Sequence, residues 1–181
     1  MGEVRGFTLI ELLVVIVIMA IATAIGFSLS GWENRTAAES QVKQVYADLM
    51  NARELAITQK RWVYVIFADD PVNNNLYDYN IYADTDDNGA YDPANDKKIG
   101  PGWKPDGKIA MFVNLAQNYF QLSISPDGSL INPAGVAYPV PIFMQSATPP
   151  QLNCITWSET AISLGGWSPP GSFPGGSCAG N

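Results

Sequence analysis

The sequence predicts an α+β fold in which one long amino-terminal helix, apolar in its first half and amphipathic in its second, packs on an antiparallel β-sheet. Three observations carry that expectation. Residues Phe7 to Gly31 form an apolar run whose single ionisable side chain is Glu11, and at 1.5 Å per residue such a helix spans a bilayer core of about 30 Å. Behind it, Val42, Val45, Leu49, Ala52 and Ala56 recur at three- and four-residue spacing, while Glu39, Lys43, Asp48 and Glu54 fall mostly elsewhere, as a helix half-buried on a sheet requires. From Arg61 onward, β-branched and aromatic runs alternate with turn residues.

The chain divides into a polar leader (1–6), the apolar helix (7–31) and one globular domain (32–181). Its 181 residues leave no room for a second large domain. A mean hydropathy of +0.02 argues against several membrane spans. The leader carries Glu3 and Arg5 and ends in Gly6, so cleavage there leaves the apolar helix on the mature chain. In a secretory signal the small-residue cleavage site follows the apolar region instead. Arg5 before the run, with Arg35 and Lys43 after it, gives little positive-inside bias. A carboxylate within lipid costs a few kcal/mol. Glu11 is therefore expected to have a partner once the helix leaves the bilayer; the alternative is a plain single-span anchor.

Each later element follows from local chemistry. The amphipathic helix continues the apolar one as the spine of the domain. Arg61 to Phe67 reads as a strand closed by a turn at Asp70-Pro71, and Leu76 to Tyr82, Ile109 to Val113 and Tyr119 to Ile124 read as further strands. Pro126-Asp127-Gly128 supplies a turn into Leu130-Ile131, and Asn153 to Trp157 with Ala161 to Leu164 form a last hairpin. Cys154 and Cys178 lie in a part of the chain expected to be exported, where oxidation is permitted. A bridge between them would close a Gly/Pro-rich loop of about 25 residues, expected to have little regular structure, and stabilise by roughly 3 kcal/mol. Two free thiols are the alternative.

Gly6-Phe7-Thr8-Leu9-Ile10-Glu11 resembles the prepilin motif of type IV pilins and type II secretion pseudopilins. The resemblance implies that a prepilin peptidase cuts between Gly6 and Phe7 and methylates the new amino group of Phe7. It also implies that Glu11 meets that amine on a neighbouring subunit, as a buried carboxylate needs a cation. The implied partners are other pilin or pseudopilin subunits and an inner-membrane assembly platform. The implied location is a single pass of the bacterial inner membrane with the carboxy-terminal domain in the periplasm, and then a periplasmic or cell-surface filament. Many pilins have a helix-kinking proline near the position of Ser28; this chain has none, so any local melting there would fall to Gly26 and Gly31.

Leu49 to Ile57, then a strand, then Ser125-Pro126-Asp127-Gly128 and a terminal hairpin ending at Gly165, is similar to GspH/FimT-type minor pseudopilins and pilins. The likeness covers most of residues 7–165. Segments 72–107 and 167–181 depart from it, and a subunit-specific role is expected there.

One departure carries chemistry of its own. In Asp84-Thr85-Asp86-Asp87-Asn88-Gly89-Ala90-Tyr91-Asp92, oxygen donors fall at loop positions one, three, five and nine with glycine at six, the spacing of a calcium loop. Asp84, Asp86, Asn88, the Ala90 carbonyl, Asp92 and Asp96 are the expected Ca²⁺ ligands. Asn95 stands where a bidentate glutamate would close the loop, with Asp96 beside it. A solvated acidic turn held by Asx hydrogen bonds is the alternative.

Other function classes are disfavoured by residue content. The chain has no histidine, hence no imidazole base and no Ser/His pair, and no enzyme activity is expected. Gly166-Trp167-Ser168-Pro169-Pro170 has proline where a nucleophile elbow needs glycine. Net charge is −7, and neither Lys nor Arg occurs from Ile109 to Asn181. Nucleic-acid binding is therefore not expected, and Lys97, Lys98, Lys104 and Lys108 are flanked by acids. A tip adhesin displaying Trp103, Trp157 and Trp167 on loops is the alternative to a purely structural minor subunit.

Overall fold

The computed structural model describes residues 9–70, 76–103, 110–113, 119–132, 136, 138, 140–145, 152–168 and 177–180; within the helix, side chains 25–34 fall outside that description. Gly6, Phe7, Pro71, Lys104, Lys108 and Ile109 lie outside the described residues.

Helix α1 runs from Leu9 to Gln59, 51 residues, or about 75 Å at 1.5 Å per residue. No proline interrupts it, and its backbone stays helical through Gly26 and Gly31. Its second half buries one stripe, Ala38, Val42, Val45, Leu49, Ala52 and Ala56, each at most 4% exposed. On the opposite side Lys43 Nζ donates to Glu39 Oε1 at 2.7 Å. The helix stops where Lys60 turns left-handed at φ 55° and the Arg61 N–H reaches back to the Ala56 carbonyl at 3.2 Å. That is the six-to-one bond of a Schellman cap, with lysine in the position glycine usually takes.

The strands are β1 (Val63–Asp70), β2 (Leu76–Ala83), β3 (Lys97–Trp103), β4 (Ala110–Val113), β5 (Tyr119–Ile124), β6 (Leu130–Ile131), β7 (Val140–Gln145), β8 (Cys154–Trp157), β9 (Ile162–Ser168) and β10 (Ser177–Gly180). They form two antiparallel sheets rather than one, in the orders β3-β2-β1-β5-β6 and β10-β9-β8-β7-β4. The buried stripe of α1 shares one core with Val63, Val65 and Phe67 of β1, Phe120, Leu122 and Ile124 of β5, and Ile142, Ile155 and Trp157 of the second sheet. Trp157 ties the sheets together. Its ring stacks on Phe67 at 6.3 Å and tilts against Phe120 at 5.8 Å, and its indole N–H donates to Asn132 Oδ1 at 2.9 Å. Trp157 is thus a core residue on a strand, 1% exposed, and not a displayed loop residue.

Three strands went unread in the sequence, and two of them contain proline. Strand β3, Lys-Lys-Ile-Gly-Pro-Gly-Trp, sits at a sheet edge with a register shift opposite Tyr79 and Ile81. Edges and bulges are where a sheet tolerates Pro and left-handed Gly, and Gly100 and Gly102 have φ of 76° and 64°. Strand β7 contains Pro141, paired with Thr156. The tail also has more regular structure than its composition suggests: β9 extends to Ser168, past the Leu164 limit read from sequence, and pairs with β10 from Ser177 to Gly180. Residues 169–176 lie outside the described residues.

Candidate functional site

Every described side chain in the apolar half of α1 is exposed. Leu9 is 84% exposed, and Ile10, Leu12 through Met19 and Ile21 are all exposed on every side of the helix. Glu11, in the first turn of α1, is exposed with them. The hydroxyl of Thr23 bonds back to the Met19 and Ala20 carbonyls at 2.9 and 3.0 Å, so it adds no unmet donor to this surface. A helix apolar all round is suited to lipid or to the interior of a helix bundle. Among the described residues, no helix is long and apolar enough to cross a membrane; the run of described side chains breaks after Ala24.

The two segments that carry the finer family resemblance meet in space. Arg53 Nε donates to the Gly128 carbonyl at 2.9 Å, and Ile57 lies against the same glycine. The turn is built by Ser125-Pro126-Asp127-Gly128: the Gly128 N–H donates to the Ser125 carbonyl at 2.8 Å and the Ser125 N–H to the Ser129 carbonyl at 3.0 Å. The Ser125 hydroxyl donates to the Asp127 carboxylate, and with the Ser129 N–H it pulls that carboxyl down to about 2. Farther along β2, the Tyr79 hydroxyl donates to Asp48 Oδ2 of the helix at 2.5 Å. Burial first, and then this bond and the Asp48 charge, push the Tyr79 hydroxyl up.

The acidic loop connects β2 to β3 and folds back over β1. Tyr64, on the β1 face opposite the helix core, is 1% exposed. It is covered by Tyr91 of the loop at 5.9 Å, which in turn packs on Tyr82 at 5.0 Å. The Asp84 N–H extends the ladder to the Trp62 carbonyl at 3.0 Å, and the chain then turns left-handed at Asp87 and Gly89, with φ of 56° and 72°. One oxygen each of Asp84, Asp86 and Asp96 lies within 4.8 Å of the other two. Asp84 accepts the Gly89 N–H on Oδ2 at 2.9 Å, and Asp96 accepts the Asp92 N–H on Oδ2 at 2.7 Å. Their Oδ1 atoms are buried with no partner, as is the Tyr64 hydroxyl.

The other sequence-expected ligands make bonds inside the loop. Asn88 Oδ1 accepts the Ala90 N–H at 2.7 Å, while its side-chain amide donates to Asp86 Oδ2 at 2.9 Å. Asp92 accepts from the Ala94 N–H at 2.9 Å and from the Asn95 side chain at 2.7 Å. Burial opposes charge on Asp84, but the Gly89, Asp87 and Asn88 N–H groups and the Asp86 carboxyl outweigh it and hold Asp84 below the usual range. Asp86 is raised, by desolvation first and then by Asp84. Burial, followed by the charges of Asp84 and Asp96, pushes the Tyr64 hydroxyl up. Sequence reasoning passed over Tyr64; its one sign was a polar-tipped ring alternating with the valines of β1.

Cys154 of β8 and Cys178 of β10 form a disulfide across 24 positions of sequence.

Residues 1–28 match the family model described as the prokaryotic N-terminal methylation motif. That match supports a type IV pilin-like prepilin, with processing by a prepilin peptidase and assembly with other pilin subunits. Neither a curated protein nor a solved structure matches the chain.

Proposed function

We propose that the chain is a minor subunit of a type IV pilus or a type II secretion pseudopilus, of the GspH/FimT type, with a structural rather than a catalytic role. Before assembly it is held by a single pass in the bacterial inner membrane, with its carboxy-terminal domain in the periplasm. The observation that carries this reading is the methylation motif overlapping a helix whose described apolar side chains, from Leu9 to Ile21, are exposed. An apolar surface of this extent needs an occupant. Lipid supplies it before assembly and the equivalent helices of neighbouring subunits supply it afterwards. The contact of Arg53 and Ile57 with Gly128 supports the finer assignment, because it joins the two segments on which that resemblance rests.

Packing an apolar helix against its copies discriminates poorly between axial offsets. Glu11 adds the discrimination, since leaving a buried carboxylate without its cation costs about 3–5 kcal/mol. Intact-mass analysis and amino-terminal sequencing of the membrane-extracted protein test the processing step: the mature chain begins at an N-methylated Phe7, and Gly6→Ala leaves the precursor uncut. A mature start elsewhere overturns the reading. Glu11→Val is expected to insert in the membrane as well as wild type and to be lost from filaments or misregistered in them. Normal incorporation of that variant removes the role assigned to Glu11.

A further inference from the structure

We propose that Asp84, Asp86 and Asp96 form a divalent-cation site, with calcium the ion that fits, which pins the loop between β2 and β3 onto the outer face of the first sheet. The inference stands apart from the filament reading and can fail without affecting it. Asp84 is fully buried and Asp96 is 8% exposed, yet each keeps one carboxylate oxygen buried and without a partner. Removing a carboxylate from water without pairing it is strongly unfavourable, and these two residues each bring a carboxylate oxygen within 4.8 Å of the other and of Asp86, an arrangement that calls for a positive charge among them. The ion pair at the loop does not meet that need: Arg61 Nε approaches Asp87 Oδ1, not the cluster, at 4.0 Å, and Lys97 and Lys98 after Asp96 are exposed.

The donors are all oxygen, which selects a hard cation over a thiophilic one. Oxygens about 2.3–2.6 Å from a calcium ion stand at most about 5 Å apart, and the three carboxylates already meet within 4.8 Å. Magnesium demands a tighter octahedron and gives up its water reluctantly, so it competes poorly here. The ligand set differs from the regular loop spacing. Asp96, the residue after the closing position, brings in the carboxylate, while Asn88 and Asp92 spend their oxygens holding the loop's own turns. Beneath the site lies the buried Tyr64 hydroxyl, without a hydrogen-bond partner.

The test uses the full-length protein in detergent micelles, titrated with calcium, with magnesium and, as a luminescent probe, with terbium excited through the neighbouring tyrosines Tyr64, Tyr82 and Tyr91. Expected are a saturable rise of several degrees in melting temperature with calcium, a smaller one with magnesium, and terbium emission that calcium displaces. Asp84→Asn and Asp96→Asn keep an acceptor for the Gly89 and Asp92 N–H groups but lose charge. They are expected to abolish both responses while melting no lower than wild type in the absence of calcium. Asp92→Asn should retain both responses. The proposal is overturned if wild-type protein shows no saturable calcium shift and no displaceable terbium emission, or if Asp84→Asn responds as wild type does.

Discussion

At Gly128 two requirements fall on one backbone position. Its φ of 87° is one that L-residues rarely adopt, and an added Cβ would lie 2.7 Å from Ile57 Cδ1 and 3.3 Å from Arg53 Nε on the helix. The left-handed geometry alone costs a non-glycine residue about 1–2 kcal/mol, and the end of the Ile57 side chain must leave its position to admit a Cβ. Gly128→Ala is therefore expected to destabilise by about 2–3 kcal/mol, or roughly 4–12 °C in melting temperature at this chain length. Gly89→Ala serves as the comparison: φ is also positive at 72°, but the nearest atom to an added Cβ is 3.6 Å away, so only the conformational cost applies. Equal losses in thermal melts would mean that the helix contact contributes nothing. Ser-Pro-Asp-Gly was legible as a turn because its residues act locally, whereas the glycine's second duty, clearing α1, involves a residue more than seventy positions away.

At the scale of elements, α1 is two helices in one backbone. Its period of burial changes where the domain begins: from Ala38 every third or fourth residue is buried, while from Leu9 to Ala24 the described side chains are exposed all round. Leu49→Ala is expected to lower domain stability by about 2–5 kcal/mol, the cost of a core cavity. Ile16→Ala should leave the melting temperature of the isolated subunit unchanged and act on filament incorporation only. Loss of domain stability in Ile16→Ala would contradict the division. The helical period was readable because a half-buried helix repeats its apolar residues on one side. Strands β3 and β7 were hidden by proline, which usually excludes a strand assignment. In β3 the proline sits at a sheet edge beside a bulge, and edge position is a property of the pairing, not of the segment.

For the molecule as a whole, the disulfide ties the last described strand to the second sheet. Cys178 lies on β10, which pairs with β9, and Cys154 lies on β8 on the other side of β9, so the bridge spans the central strand of that trio. Cys154→Ser and Cys178→Ser are each expected to cost about 2–4 kcal/mol and the double variant no more than either, since one bond is lost in every case. Amide exchange should show β10 released in all three. A double variant markedly less stable than both singles would mean that the cysteines contribute separately.

The amino-acid sequence by itself determined the order of the chain: the methylation motif at residues 1–28, the apolar helix with one acid, the amphipathic spine, most of the strands and the two cysteines. Each rests on near-neighbour chemistry or on a short period, and both are written along the chain. The tertiary structure decided how the strands divide into two sheets, that Trp157 seals the core between them, and which carboxylates of the acidic loop converge. The physical reason is burial. Asp84 and Asp96 are excluded from water because the loop lies on Tyr64 and Tyr82, and that contact between distant residues turns a run of acids into two buried oxygens that lack a partner.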